Sequence, residues 1–163
     1  MRIVIASDHA GFKLKKVIAD GLEARGINYT DVGTNSEERV DYVEYGEEAI
    51  KRLTSGEFDA AILVCGAGLG MTIVANKFKG VRATLCMDEY MAEMSRAHND
   101  SNCLTLAGRI LPTDKALRIL DVWLDTAFEG GRHQKRLDKI RDLEDRNFKL
   151  FEFEINFLYL ACR

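Results

Sequence analysis

The sequence contains very little proline and histidine, and it has no long apolar run. Of its 163 residues, one is proline and three are histidine. With one proline and no low-complexity linker, nothing indicates a second domain, and a chain of this length can bury a sizeable core. No apolar run is long enough to cross a membrane, and the amino terminus has the pattern of a strand, not of a signal peptide. We therefore expect a cytoplasmic protein with one globular domain and no membrane partner.

An excess of charge of one sign is also lacking. The formal net charge is −3, from 23 basic and 26 acidic residues. Proteins that bind nucleic acids or anionic membrane surfaces through bulk electrostatics carry a clear basic excess. The charge balance therefore predicts no nucleic-acid partner and leaves small-molecule or protein partners.

Cysteine occurs, but in no metal-binding or disulfide pattern. No two of the four cysteines have Cys-x-x-Cys spacing, and no ligand cluster surrounds them. They are Cys65, Cys86, Cys103 and Cys162. The pattern indicates reduced thiols, with neither a disulfide framework nor a zinc site.

The sequence does show a regular alternation of strands and helices. Apolar runs and helical periodicity predict strands over 2–7, 27–32, 58–64, 81–87 and 102–107. They predict helices over 12–25, 40–53, 89–97 and 132–146, from the glycine-rich loop to about 78, and from 113 to about 128. This order predicts a doubly wound, five-stranded parallel sheet of the Rossmann-like α/β class, a single domain with a C-terminal helix. Ligands of such sheets bind outside the carboxyl ends of the strands.

The segment 147–163 differs from the rest of the chain. It is strongly apolar and aromatic, and it follows a highly charged helix. Such a tail either packs on a partner subunit or forms a poorly ordered, aggregation-prone appendage. The sequence leaves both alternatives open.

A glycine-rich loop follows the third predicted strand. The apolar run 60–64 ends at Cys65, and Gly66, Gly68 and Gly70 follow before a segment compatible with a helix. Unpaired backbone N–H groups in such a loop form an anion-binding cradle. The dinucleotide-binding motif Gly-x-Gly-x-x-Gly needs a third glycine, but the residue there is Met71 if the motif starts at Gly66 and Ile73 if it starts at Gly68. The Gly-Lys-Ser/Thr ending of a P-loop is also absent. The alternative to an anion-binding loop is a tight strand–helix turn in which the glycines are needed only for close packing.

Other polar residues follow predicted strands or precede them. Asp8 and His9 follow strand one, and Arg109 follows strand five, at the edge where ligands bind. The segment 98–100 precedes strand five, so the topology does not place it at this edge. Arg132 and Arg136 are spaced i, i+4 on one helical face, which suits a phosphate. The alternative for Asp8, His9 and 98–100 is a turn whose polar side chains only hydrogen-bond within the turn. The alternative for Arg132 and Arg136 is a basic helix face that only contacts solvent.

Five segments together resemble the ribose-5-phosphate isomerase type B family, which includes galactose- and allose-6-phosphate isomerases. They are Ser7-Asp8-His9-Ala10-Gly11, Cys65-Gly-Ala-Gly-Leu-Gly-Met, Ala75-Asn76-Lys77, Ser95-Arg96-Ala97-His98-Asn99-Asp100 and Gly130-Gly131-Arg132-His133. The resemblance covers residues 1 to about 146, in the family's order and spacing. It implies a sugar-phosphate isomerase domain over 1–146 and an atypical tail over 147–163.

The resemblance also implies residue roles. Cys65 would be the base that transfers a proton between C2 and C1, His98 would assist ring opening, and Asp8 would contact the sugar. The enediolate would be stabilised by the loop Gly66, Ala67, Gly68, Leu69 and Gly70. The substrate, mainly its phosphate, would be held by His9, Asn99, Arg109, Arg132 and Arg136. The family implies a homodimer, or a dimer of dimers, whose sites draw residues from both subunits and use no metal or cofactor.

Three departures from the family pattern bear on function. Ala67 stands where the family usually has Thr or Ser, Val43 replaces a usual proline, and the tail matches nothing in the family. The leading hypothesis is interconversion of ribose 5-phosphate and ribulose 5-phosphate through an enediolate. A hexose-6-phosphate isomerase of the same family and a non-catalytic phosphosugar-binding module are the alternatives.

Overall fold

The computed structural model describes the backbone of residues 1–161 and the side chains of residues 1–148. The strands are β1 (Ile3–Ser7), β2 (Tyr29–Asp31), β3 (Ala60–Cys65), β4 (Ala83–Leu85) and β5 (Cys103–Ala107). The helices are α1 (Phe12–Ala24), α2 (Tyr42–Thr54), α3 (Leu69–Ala75), α4 (Glu89–Ala97), α5 (Thr113–Asp125) and α6 (Arg132–Ala161). Every strand and helix that the sequence predicts is present.

The five strands form one parallel sheet in the order β2-β1-β3-β5-β4. In its register Ser7 pairs with Val64, and Cys65 pairs with Ala107, so the carboxyl ends of β1, β3 and β5 lie side by side. The predicted fold class, a doubly wound parallel α/β sheet, is confirmed.

Helices cover both faces of the sheet. Alternate residues of β3 point to opposite faces: Ile62 packs in a core with α1, α4 and α5, whereas Leu63 packs in a core with α2 and α3. Because every residue of β3 is buried, the strand reads as a continuous apolar run instead of an alternating one.

Several elements are shorter than the sequence predicts. The outer strands β2 and β4, each of which pairs with a neighbour on one side only, have three residues each. Helix α3 ends at Ala75, and the side chain of Asn76 exchanges two hydrogen bonds with the backbone of Ala83, at 2.9 and 3.0 Å. Asn76 therefore ends the helix and ties it to the outer strand β4.

The chain divides into two compact units, Met1–Phe128 and Glu129–Arg163. The second unit contains α6, which follows two left-handed glycines, Gly130 and Gly131, with φ of 67° and 57°. The helix expected to end at residue 146 continues to Ala161, because no glycine or proline interrupts the sequence after Gly131. The boundary at 146/147 stays a prediction, and the two alternatives for the tail concern side chains outside the described residues.

None of the helices in the described part of the chain is long and apolar enough to cross a membrane.

Candidate active site

The strand order reverses between β1 and β3, and the candidate site lies at the carboxyl ends of these two strands. From β1 the chain proceeds to β2 on one side, and from β3 it proceeds to β4 and β5 on the other. A crevice opens at such a point, and doubly wound proteins bind their ligands there. Asp8 and His9 follow β1, and Cys65 with the glycine-rich loop follows β3. The structure therefore brings these two groups of predicted site residues together.

Close backbone contacts join the three strand ends. The N–H of Gly108 donates to Cys65 O at 2.9 Å, and the N–H of Arg109 donates to Gly66 O at 3.0 Å. A Cβ on Gly11 would lie only 2.2 Å from Val64 O, so a side chain cannot occupy that position without moving the backbone. This packing fixes Arg109 beside the glycine-rich loop, where the sequence placed it.

The turn after β1 is held by its own side chains. Asp8 is buried, and its Oδ1 accepts a hydrogen bond from the N–H of Gly11 at 2.9 Å. Nδ1 of His9 lies 3.2 Å from the carbonyl oxygen of Val40 and 3.3 Å from its nitrogen. His9 therefore links the turn to the segment that leads into α2, and its tautomer decides whether Nδ1 donates or accepts.

That segment and the turn enclose a cavity of about 490 Å³. Its lining residues are Asp8, His9, Arg39, Val40, Asp41 and Tyr42. Asp41 caps α2 by accepting a hydrogen bond from the N–H of Val43 at 2.9 Å, which is why the helix begins after it and not at Val40. The volume lies in the range of small-molecule sites.

Sequence reasoning missed Arg39 and Tyr42 as cavity residues. Tyr42 also packs on the glycine-rich loop, because a Cβ added to Gly70 would lie 2.6 Å from Cε2 of its ring. Gly70 is thus needed for the tyrosine to approach. The only signal in the sequence was the position of this segment after a strand, which marks it as a carboxyl-edge loop but does not say which side chain faces the cavity.

Cys65 differs from the other buried thiols in its position. It is the last residue of β3 and 5% exposed. Cys86 and Cys103 are fully buried, and desolvation raises the pKa of both thiols. Of the three thiols in the described residues, Cys65 is the one that adjoins the glycine-rich loop.

Hydroxyl groups support the glycine-rich loop from inside the protein. Gly68 adopts a left-handed conformation with φ of 76°, and Thr72 Oγ1 donates to its carbonyl oxygen at 2.7 Å. Thr105 Oγ1 lies 2.6 Å from Thr72 Oγ1. Ala67 is exposed and offers no hydroxyl, and Thr72 does not replace the missing group because its oxygen is engaged with Gly68 and Thr105. Helix α3, which begins within this loop at Leu69, has only seven residues.

The structure does not bring His98 and Asn99 to Cys65 within one chain. His98 ends α4, and the N–H of Ala61 at the start of β3 donates to Asn102 O at 3.0 Å. Cys65 lies four residue steps after Ala61 along β3, a span of about 13 Å. His98 and Asn99 therefore lie at the amino edge of the sheet, opposite the glycine-rich loop.

Arg132 and Arg136 belong to the second compact unit. Both side chains are exposed near the start of α6, one helical turn apart. Arg132 Nε donates to Nε2 of His133 at 3.1 Å. The expected i, i+4 pair is present on the helix.

Comparisons with known proteins agree with this arrangement. The family described as "Ribose/Galactose Isomerase" matches residues 3–140. The chain is 43% identical to ribose-5-phosphate isomerase B of Escherichia coli over 145 residues, covering 89% of this chain and 97% of that protein. A solved structure of Clostridium thermocellum ribose-5-phosphate isomerase B is 48% identical with a TM-score of 0.88, covering 90% and 99% of the two chains.

A second solved structure shows a relative with a ligand. It is ribose-5-phosphate isomerase B from Mycoplasma genitalium with bound ribulose-5-phosphate, 38% identical with a TM-score of 0.84, covering 88% of this chain and 96% of that one. The likeness in sequence and fold covers most of both chains in each of these comparisons. The chain belongs to the ribose/galactose isomerase family.

Proposed function

We propose that this chain is an aldose–ketose isomerase that interconverts D-ribose 5-phosphate and D-ribulose 5-phosphate through an enediolate. The single observation that carries the proposal is the thiol of Cys65 at the end of the central strand, directly before the glycine-rich loop. Relatives named ribose-5-phosphate isomerase B, and one of them with ribulose-5-phosphate bound, support this substrate. No metal or cofactor is needed, because a base and an oxyanion site suffice for the proton transfer.

In this mechanism Cys65 acts as the base. Its thiolate removes the proton from C2 of the open-chain aldose, and the electron pair moves to the C1 oxygen to give an enediolate. The proton on the C2 oxygen then passes to the C1 oxygen, which moves the negative charge to the C2 oxygen. The thiol returns its proton to C1 as the C2 carbonyl forms, so that C1 becomes the hydroxymethyl group of the ketose. The first N–H groups of α3 have no acceptor within the helix, so the loop 66–70 can stabilise the charge that develops on the oxygen.

Ribose 5-phosphate must first open its furanose ring, and we assign this step to His98. An imidazole can give a proton to the ring oxygen and accept one from the hydroxyl at C1. Within one chain His98 lies at the sheet edge opposite Cys65. A second copy of the chain must therefore bring its own His98 and Asn99 to this site, in a homodimer or a dimer of dimers.

Exposed apolar residues beside the site support a second copy. Leu69 and Ile73, one turn apart on α3, are each 60% exposed, and Ile110, which follows Arg109, is 58% exposed. Leu69 belongs to the glycine-rich loop, and Ile110 directly follows Arg109, whose N–H donates to Gly66 O at 3.0 Å. A subunit that covers them would bury apolar surface and exclude water from Cys65 in the same contact.

The arginines hold the phosphate in this proposal. Changing Arg132 or Arg136 to Ala is expected to raise KM by roughly 10- to 100-fold with a smaller effect on kcat, because each removes a charge-assisted hydrogen bond to a group that does not react. Steady-state kinetics on ribose 5-phosphate measures this. Arg141→Ala is the matched control, since Arg141 lies on the same helix and pairs with Asp138 at 3.0 Å. An unchanged KM in both variants would contradict the assignment.

Ala67 favours one second candidate, a hexose-6-phosphate isomerase. The small, exposed side chain leaves space where relatives usually carry a hydroxyl, and a hexose needs space for one more carbon. Asp8, Cys65 and the loop amides would serve that reaction equally well.

A coupled isomerase assay over phosphorylated pentoses and hexoses tests the proposal. We expect the highest kcat/KM for ribose 5-phosphate and a value lower by at least about tenfold for allose or galactose 6-phosphate, because one carbon changes transition-state binding by about 1–3 kcal/mol. A preference for a hexose would replace the proposal with the second candidate. Tight binding of phosphosugars without turnover would indicate a non-catalytic binding module.

A further inference from the structure

The turn that follows α4, residues 98–102, is held by an arginine from another part of the sheet. Arg82 precedes β4, and its guanidinium donates to Asn99 O at 2.9 Å and to Asp100 O at 2.6 and 2.9 Å. It also binds the carboxylate of Asp100 at 2.9 Å. Its backbone N–H donates to the side chain of Asn102 at 2.8 Å. One residue thus binds the carbonyl groups of both residues that follow His98.

A second arginine, Arg96, contacts the same turn. Arg96 lies on the last turn of α4, and its Nη1 donates to Ser101 O at 2.5 Å and lies 3.4 Å from Asp100 Oδ1. Its guanidinium lies over the ring of Trp123, 5.0 Å from the ring centre, and Trp123 is fully buried in α5. Contact with a fixed aromatic ring restricts the arginine to one orientation.

Asp100 takes one guanidinium on each carboxylate oxygen and has an unusual backbone. Its φ of 44° makes it the one non-glycine residue with a left-handed conformation in the described part of the chain. The chain reverses there, and the N–H groups of Asp100 and Ser101 return to the carbonyls of Arg96 and Ser95 at 3.0 and 2.9 Å. The turn is therefore defined by both backbone and charge.

We propose that Arg82, Arg96 and Asp100 form a clamp of positioning residues that holds His98 and Asn99 in the geometry required for ring opening. This inference rests on the proposed function of His98. A surface turn can close with a glycine and needs no ion pairs. Two partly buried guanidiniums carry a desolvation cost that a purely structural turn avoids. Because His98 must act on a substrate held by another subunit, an error of about 1 Å in the turn would reduce proton transfer.

Two measurements separate positioning from stability. Isomerisation of ribose 5-phosphate requires ring opening, whereas exchange of the C1 proton of acyclic ribulose 5-phosphate with solvent deuterium requires the base but no ring chemistry. Arg82→Ala is expected to lower the first rate by about 10- to 100-fold and the second by less than about threefold. Arg82→Lys keeps the charge but loses the planar guanidinium. Its rate of ribose 5-phosphate isomerisation is expected to lie between those of Arg82→Ala and the wild type.

His98→Ala, measured in parallel, distinguishes failure of this inference from failure of the proposed function. If His98→Ala loses ring-dependent turnover and Arg82→Ala does not, the clamp is structural only. If His98→Ala keeps full turnover, the assignment of His98 fails, and the clamp loses its purpose with it. If Arg82→Ala and Arg82→Lys each lower isomerisation and C1 proton exchange by the same factor, the clamp proposal is also overturned.

A double variant and a control complete the test. Adding Arg82→Ala to His98→Ala is expected to produce no further loss of ring-dependent turnover, because residues that act through one group are not additive. Additive losses would overturn the proposal. Arg118→Ala is the matched control. Arg118 binds Glu89 of α4 and Asp114 of α5 at 2.7 and 2.8 Å, so the substitution removes comparable ion pairs but leaves the turn 98–102 unchanged.

Discussion

Cys65→Ala is expected to lower the exchange of the C2 proton of ribose 5-phosphate with solvent deuterium by about 10²- to 10⁴-fold, the usual contribution of a general base. Binding of the phosphosugar should remain nearly intact, because the loop amides and the arginines are unchanged. Proton NMR in deuterium oxide measures the exchange, and ligand titration by calorimetry measures the binding.

The other thiols provide internal controls for this prediction. Cys103→Ala and Cys86→Ala should lower the thermal midpoint and leave proton exchange near the wild-type rate, because both side chains are fully buried in the two cores. If Cys65→Ala still exchanges the C2 proton at close to the wild-type rate, the base lies elsewhere. Asp8 would then be the first candidate, since it directly follows the neighbouring strand β1 and lines the cavity.

Alkylation tests the same assignment without changing the site. In a Cys162→Ser background, iodoacetamide should inactivate the enzyme, and substrate should protect it. Burial raises the pKa of Cys86 and Cys103, which keeps both protonated and unreactive at neutral pH. Mass spectrometry should locate the modification on Cys65, and modification elsewhere with the same loss of activity would contradict the prediction.

The fold could be predicted because its signals are local. Each central strand is an apolar run, and helix α1 has an apolar face and is followed by a break at Gly26. The rule that ligands bind at carboxyl ends then placed Asp8, Cys65 and Arg109 at one edge, and the register confirms that these strand ends are neighbours. Here the topology alone determines position.

The rest of the site could not be predicted because it depends on tertiary packing. Tyr42 reaches the glycine-rich loop only because Gly70 has no side chain, and the clamp on Asp100 joins residues from two separate segments through Arg82. Neither contact can be predicted from the spacing of these residues along the chain. The end of α6 differs from the prediction for another reason: the change from charged to apolar composition predicts a boundary at residue 146, but no residue there breaks a helix.

Mixing two inactive variants is expected to restore activity if the site is shared between subunits. Cys65→Ala and His98→Ala proteins, reassorted by co-expression, should form half of their dimers as mixed pairs. In a mixed pair, one site combines an intact Cys65 with the intact His98 of the other subunit, and the second site lacks both. Because one of two sites works in half of the dimers, turnover of ribose 5-phosphate should recover to about a quarter of the wild-type value.

This result depends on the placement of the two residues at opposite edges of the sheet. If Cys65 and His98 of one chain served the same site, every site in every mixture would lack one of them, and turnover would stay at the level of the single variants. Cys65→Ala mixed with the double variant Cys65→Ala/His98→Ala is the control, since no dimer in that mixture contains the thiol. Absence of recovery, with mixed dimers demonstrated by native mass spectrometry, would refute the shared site and place the ring-opening acid within the same chain as the base.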